Sequence, residues 1–181
     1  MRILLATALA LATVASPALA QSEDKPFEGF HLAAVAGWDH VDDGVDKEDG
    51  VTGGAAAGYD FQMKDSNFVL GLEGEASFAT TKRCTGTACI EAGRDLYGGA
   101  RFGVLVSDNA MVYAKGGYTN ARARYTLGGT TVATDDLDGV RVGLGVEGTI
   151  GHLLLRAEYR YSNYEQDFER HQLVAGIGFR F

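Results

Sequence analysis

A period of two governs almost the whole chain. From about residue 29 onward, apolar residues recur at every second position in segment after segment, and the helical period is nearly absent. Eight such segments can be marked: Gly29–Trp38, Val51–Phe61, Phe68–Phe78, Asp95–Val106, Ala110–Tyr125, Gly139–Ile150, Leu153–Tyr161 and Gln172–Phe181. Each is roughly as long as a tilted strand needs to be to cross a bilayer. The links after the first, third, fifth and seventh are long and polar, reading DHVDDGVDKEDG, ATTKRCTGTACIEAGR, TLGGTTVATDDLD and SNYEQDFERH. Those after the second, fourth and sixth are short, reading QMKDSN, SDN and GH. Long links at one end and tight turns at the other predict an all-β fold, an eight-stranded antiparallel up-and-down transmembrane β-barrel. The chain ends inside the last strand, on GIGFRF. Closure explains how such an ending is tolerated, because the last strand pairs with the first and no edge stays open.

Separating the two parities shows what each face meets. One carries Phe30, Leu32, Ala34, Ala36 and Trp38, then Phe68 through Phe78, Val140 through Ile150, and Leu173 through Phe181, with no charge among them. The other carries glycine and the strand charges Glu73, Glu75, Arg101, Lys115, Arg141, Glu147, Arg156, Glu158, Arg160 and Arg180. A soluble barrel of lipocalin type would put the apolar set inside. The membrane arrangement puts it outside. Aromatic residues stand toward the ends of the apolar parity, as interfacial girdles do. An arginine on the lipid face at mid-bilayer would cost about 2–4 kcal/mol, which accounts for the charge-free set. The charged set then faces a narrow lumen, where ions need partners. Its many glycines are expected to leave some room for water.

Residues 1–20, ending Ser16-Pro17-Ala18-Leu19-Ala20, have the basic start, short apolar run and small-residue cleavage site of a secretory signal peptide, so residues 21–181 form the barrel. A membrane anchor is the alternative for that stretch. The net charge of −8 and the lack of a basic stripe argue against nucleic acid as a partner. Cys84 and Cys89 are the only cysteines, and in an exported chain a disulfide between them is expected; a metal site would need further ligands nearby.

The segments GFHLAAVAGW, GLEGEASF, ARFGVLVSDNAMVYAKGGYTNA, VGLGVEGTI, LRAEYRYSNY and VAGIGFRF resemble the small outer-membrane β-barrel family of OmpA-type barrel domains and opacity-type surface proteins. The resemblance spans essentially all of residues 21–181. It implies the outer membrane of a Gram-negative bacterium, with periplasmic termini and four long loops outside. It also implies that Ala175, Ile177, Phe179 and Phe181 form the signal read by the barrel-assembly machinery. Lipid or lipopolysaccharide, periplasmic chaperones during biogenesis, and a host or phage surface ligand are the partners it suggests. No peptidoglycan-binding domain follows, so the chain reads as a bare barrel.

Catalytic readings fare poorly. Gly143, Gly145 and Gly148 match a dinucleotide-binding glycine pattern, but they lie inside a strand with no helix to follow. Glu73, Glu75, Glu147 and Glu158 could act as acid/base pairs only in an open cleft. The outer-membrane lipid A deacylases pair a His and a Ser two residues apart on a late strand, whereas His171 is followed by Gln172-Leu173. The acidic run with Asp42, Asp43, Asp46, Glu48 and Asp49 lacks EF-hand spacing and reads as a solvated loop, divalent-cation bridging to lipopolysaccharide being the sharper alternative. No catalytic, cofactor or metal residue is assigned. The sequence points to a non-enzymatic barrel with a structural and surface-interaction role, a narrow porin-like channel being the alternative and an outer-membrane lipid hydrolase a weaker one.

Overall fold

The computed structural model describes residues 25–42, 47–80, 82–165 and 168–181. The expected signal peptide and Asp43 and Asp46 of the acidic run lie outside the described residues. Nine strands follow in order: β1 Gly29–Asp42, β2 Lys47–Gln62, β3 Phe68–Ala79, β4 Lys82–Thr85, β5 Ala88–Ser107, β6 Ala110–Leu127, β7 Thr130–Ile150, β8 Leu153–Tyr164 and β9 Phe168–Arg180. All pairings are antiparallel. Eight strands close a ring, β1-β2-β3-β5-β6-β7-β8-β9, through the β3–β5 and β1–β9 pairings. The first and last strands meet along Ala34↔Ile177 and its neighbours, as closure requires. At this seam Gly29 takes φ 122°, and a Cβ there would lie 2.0 Å from the Phe181 carbonyl oxygen, so no larger residue fits.

The short turns and the chain's end share one rim. Gly151-His152 makes a tight turn with φ 60° at Gly151, while Arg180 donates its N–H to the His152 carbonyl at 2.9 Å. Phe181 donates to the Phe30 carbonyl at 2.8 Å. The other end differs from the expectation. The second and third long links are not loops: β5 starts at Ala88 rather than Asp95, and β7 at Thr130 rather than Gly139. They are hairpins that rise beyond the apolar belt, one joined by Gly128 and Gly129 at φ 58° and 83°, which suits a two-residue hairpin turn. Among the described residues the four-residue strand β4 pairs only with β5, at Lys82↔Glu91 through Thr85↔Ala88. Both faces of these extensions meet water, so the apolar alternation that marked the lower strands is absent there.

The two parities part as the membrane arrangement requires. In β3 the pattern of exposed and buried residues alternates over Phe68–Phe78 without a break. Leu72, Val142, Leu144, Ile150, Leu173 and Ile177 point outward and are exposed. Trp38, Phe78, Phe30, Phe68, Phe179 and Phe181 stand exposed toward the two rims. The charged parity is buried inside.

Candidate functional site

The lumen is the most densely functionalised part of the molecule. All ten charges assigned to it from the sequence are buried there: Glu73, Glu75, Arg101, Lys115, Arg141, Glu147, Arg156, Glu158, Arg160 and Arg180. That set holds six cations and four acids, a surplus that a buried interior would not tolerate. The structure adds Asp39, Asp60, Asp95 and Arg170, which brings the buried charges to seven of each sign among the described residues.

They form three connected tiers. Nearest the turn rim, Arg180 donates to Asp60 at 2.8 Å and to Glu147 at 2.6 Å, while Arg101 meets Glu147 at 2.9 Å and Asp60 at 3.4 Å. The two arginines and two carboxylates thus bridge one another in a closed square. In the middle, Glu73 meets Lys115 at 2.8 Å, Arg156 at 2.5 Å and Arg101 at 3.4 Å. Glu158 accepts from the Tyr113 hydroxyl at 2.7 Å and also meets Lys115 at 2.9 Å and Arg160. Glu75 takes both Nη atoms of Arg160. Toward the hairpin end, Asp95 accepts from Arg141 at 2.5 Å, Arg170 at 2.8 Å and Thr119 at 2.9 Å. Arg170 also grips Asp39 through two bonds of 2.5 and 2.9 Å. Charge-assisted bonds of this kind, several per ion, are what make burial of a charge tolerable.

The inward glycines are closely approached by their neighbours. Neighbouring side chains crowd the space beside several of them. A Cβ at Gly99 would come within 2.3 Å of the Tyr97 hydroxyl, and one at Gly145 within 2.6 Å of the Tyr113 ring. At Gly58 it would strike the His31 ring, and at Gly103 the Met111 sulfur. Each of these four glycines is the berth for a large side chain. Arg101 and Lys115 in turn lie over the Tyr113 and Tyr97 rings, at 4.4 and 4.7 Å from the ring centres.

The turn-rim end holds a buried residue that the alternation did not single out. Phe27, just before β1, is fully buried against Val69, Met111 and Tyr113. The Gln62 side chain accepts its N–H at 3.2 Å, and Arg180 donates to its carbonyl at 2.7 Å.

The four histidines have these partners. His31 is buried with its ring nitrogens 3.3 Å from Asp60 and Glu73. His40 Nδ1 lies 2.8 Å from Asp49, His152 Nδ1 lies 3.0 Å from the Arg180 carbonyl, and His171 Nδ1 lies 2.7 Å from the Tyr159 hydroxyl. None of these partners is a serine or cysteine. No cluster of three or more metal-ligating side chains occurs among the described residues.

At the hairpin end Cys84 and Cys89 form a disulfide across the β4–β5 pair. On the β6–β7 hairpin Arg122 clasps Asp136 with bonds of 2.7 and 2.8 Å. That hydrogen-bonded pairing holds the Asp136 carboxyl below its ordinary range. The proposed assembly-signal residues Ala175, Ile177, Phe179 and Phe181 all lie on the exposed, lipid-facing side of the final strand and its end.

Comparison with known proteins places this architecture. The family model for the outer membrane protein beta-barrel domain matches residues 6–181. A 25 kDa outer-membrane immunogenic protein of Brucella ovis is 29% identical over 140 residues, covering 75% of this chain and 66% of that protein. The chain therefore spans about two thirds of that relative's length. Among solved structures, Ail, the attachment invasion locus protein of Yersinia pestis, aligns with a TM-score of 0.64 at 16% identity, over 85% of this chain and 99% of that one. Ail in complex with the heparin analogue sucrose octasulfate aligns at 0.63, with the same identity and coverage. Neisserial surface protein A aligns at 0.65 with 18% identity, over 84% and 97%. At such identities these structures speak for the fold alone.

Proposed function

The chain belongs to the outer membrane protein β-barrel family, and from that premise we propose that it is a non-enzymatic barrel whose lumen is closed and whose long hairpins face the cell exterior as an interaction surface. The observation that carries this reading is the neutral, three-tiered lumen, with arginines as long as Arg101, Arg141, Arg160 and Arg180 packed to 2% exposure or less. An eight-stranded ring is just wide enough for side chains to fill. Ion pairing and the tyrosines seated on glycines fill it.

Several parts of the proposal rest on the resemblance and on the exposed faces. Residues 1–20 are removed on export, the termini and short turns lie on the periplasmic side, and Ala175, Ile177, Phe179 and Phe181 guide insertion by the assembly machinery after chaperone escort. Lipid and lipopolysaccharide surround the apolar belt. The histidine surroundings support the non-enzymatic reading, since none supplies the nucleophile that acyl transfer needs. A surface ligand of host or phage origin is the proposed use of the hairpins. The sulfated ligand bound by Ail is not carried over, because Asp135, Asp136 and Asp138 make the β6–β7 hairpin acidic.

The test is single-channel conductance of the refolded chain in a planar bilayer, with insertion verified by gel mobility. Silence from inserted protein supports the closed lumen. Reproducible steps that grow when Arg101 or Arg156 is truncated would replace it with a charge-lined channel.

A further inference from the structure

The ring closes every strand within the apolar belt, but not above it. Strand β7 pairs with β6 from Thr130↔Leu127 downward, whereas its pairing with β8 starts only at Gly139↔Tyr164. Among the described residues, positions 130–138 are therefore hydrogen-bonded along one edge alone. They form the outer strand of a sheet, β4-β5-β6-β7, that stands clear of the barrel. The opposite edge of that sheet is handled as exposed edges usually are: β4 is only four residues long and is clamped by the Cys84–Cys89 bond. The β7 edge is longer and uncrosslinked, with one irregularity at Val132, opposite Tyr125 and Thr126. It reads TTVATDDLD, β-branched over its first half, with no proline and no lysine to block pairing.

The direction of its main chain follows from the register. Thr149 donates its N–H toward β6, to the Asn109 carbonyl at 2.9 Å, and the β6–β7 register runs unbroken from Ala133 to Gly148. From Ala133 onward, odd-numbered residues of β7 therefore turn their main chain to β6. Thr134 and Asp136 turn theirs to the open side. Main-chain groups presented in this way form a template for an added strand.

We propose that the open β7 edge at residues 130–138 is a docking site for an extended, basic segment of a partner protein, which adds to the sheet as a further antiparallel strand. Charge chooses the occupant. The edge strand carries Asp135, Asp136 and Asp138 and no cation, while the chain as a whole has a net charge of −8. A second copy would bring two acidic edges and two acidic proteins together, which is unfavourable. A lysine- or arginine-bearing strand meets the opposite field. This inference rests on the proposal that the hairpins face outward, since it names the chemistry of the ligand they would take.

The experiment uses the full mature chain in lipid nanodiscs. The probes are a short fluorescent peptide alternating lysine with threonine, its glutamate counterpart, and the lysine peptide N-methylated at every second residue. Methylation keeps the charge but removes the main-chain donors that strand addition needs. The lysine peptide is expected to bind, and N-methylation is expected to weaken it by about tenfold, as two or three unmade main-chain bonds would. Thr134→Pro should weaken it as much, because it removes a donor on the open edge without touching the β6 pairing. Equal binding of the methylated peptide would overturn the proposal, leaving a merely electrostatic association. Absence of binding, or a wild-type dimer that Thr134→Pro dissolves, would also overturn it. Repeating the titration on intact cells separates the two claims. Binding in nanodiscs but not on cells would refute outward display and leave the edge site standing.

Discussion

Glu73→Gln tests whether the lumen is dry. The replacement keeps the shape of the side chain and removes one charge from a site met by Lys115, Arg156 and Arg101. Two of those cations have other partners close by: Lys115 meets Glu158 at 2.9 Å, and Arg101 meets Glu147 at 2.9 Å. Arg156 does not, since its next carboxylate is Glu75 at 3.9 Å. The variant therefore strands one buried guanidinium. Removing one member of a buried pair costs about 3–5 kcal/mol, and the amide oxygen, which can still accept one bond, puts the expected loss near the lower end, about 3 kcal/mol. Arg156→Met made on top of it removes the stranded charge. It should recover about 2 kcal/mol, within the usual range of coupling between contacting residues. The assay is urea unfolding in lipid vesicles, followed by the emission of Trp38, the only tryptophan and an exposed one near the rim. A loss below about 1 kcal/mol, the value for pairs in water, would refute the reasoning. It would mean that solvent surrounds Glu73 and that the lumen is wet.

Leu144→Arg, on the lipid face where exposure reaches 65%, should lower stability by about 2–4 kcal/mol in vesicles, and a smaller effect in detergent would confirm that the bilayer sets the cost. Reduction of Cys84–Cys89 should speed amide exchange in the β4–β5 hairpin while the urea midpoint of the barrel stays put, because among the described residues β4 pairs with nothing but β5. Acid should loosen the β6–β7 hairpin locally. The Asp136 carboxyl titrates below its unfolded value because Arg122 is bonded to it, so the stabilisation is present above the unfolded value, about pH 4, and is lost as pH falls through the folded one. Amide exchange around residues 122 and 136 should rise in that window, and Arg122→Ala should abolish the rise.

The barrel was legible because a bilayer imposes a severe rule: within the belt, each position is either lipid-facing and apolar or lumen-facing. Phe68–Phe78 obeys it without exception, and the fold followed. The lumen was legible only in part. Asp39 and Arg170 lie just beyond the strand ends that apolar alternation defines, and Asp60 sits in a β2 so rich in glycine and alanine that its parity carries little contrast. The sequence still contained a warning. Six cations against four acids cannot share a buried space, so the missing acids could have been sought on the same parity. The tall hairpins were hidden for a different reason. Above the membrane both faces of a strand are wet, so Thr130–Asp138 bears no burial pattern, only its β-branched residues and the Gly128-Gly129 turn. Phe27 was out of reach, because a residue outside any strand has no parity to read.

Buried Phe27 also bears on the order of events. Its carbonyl is held by Arg180, 153 residues away in sequence, so the two ends of the chain must both arrive before the seat exists. Contacts that close so long a loop come late, since the chain must lose that freedom before the contact repays it. Loop-closure entropy therefore predicts that the Phe27–Arg180 bond is among the late contacts of folding. Until β9 is in place, the half-built ring has an open seam, and the Phe27 carbonyl lacks its Arg180 donor. Formation of that one bond is expected to mark completion of the ring, and a probe placed beside Phe27 would read its timing.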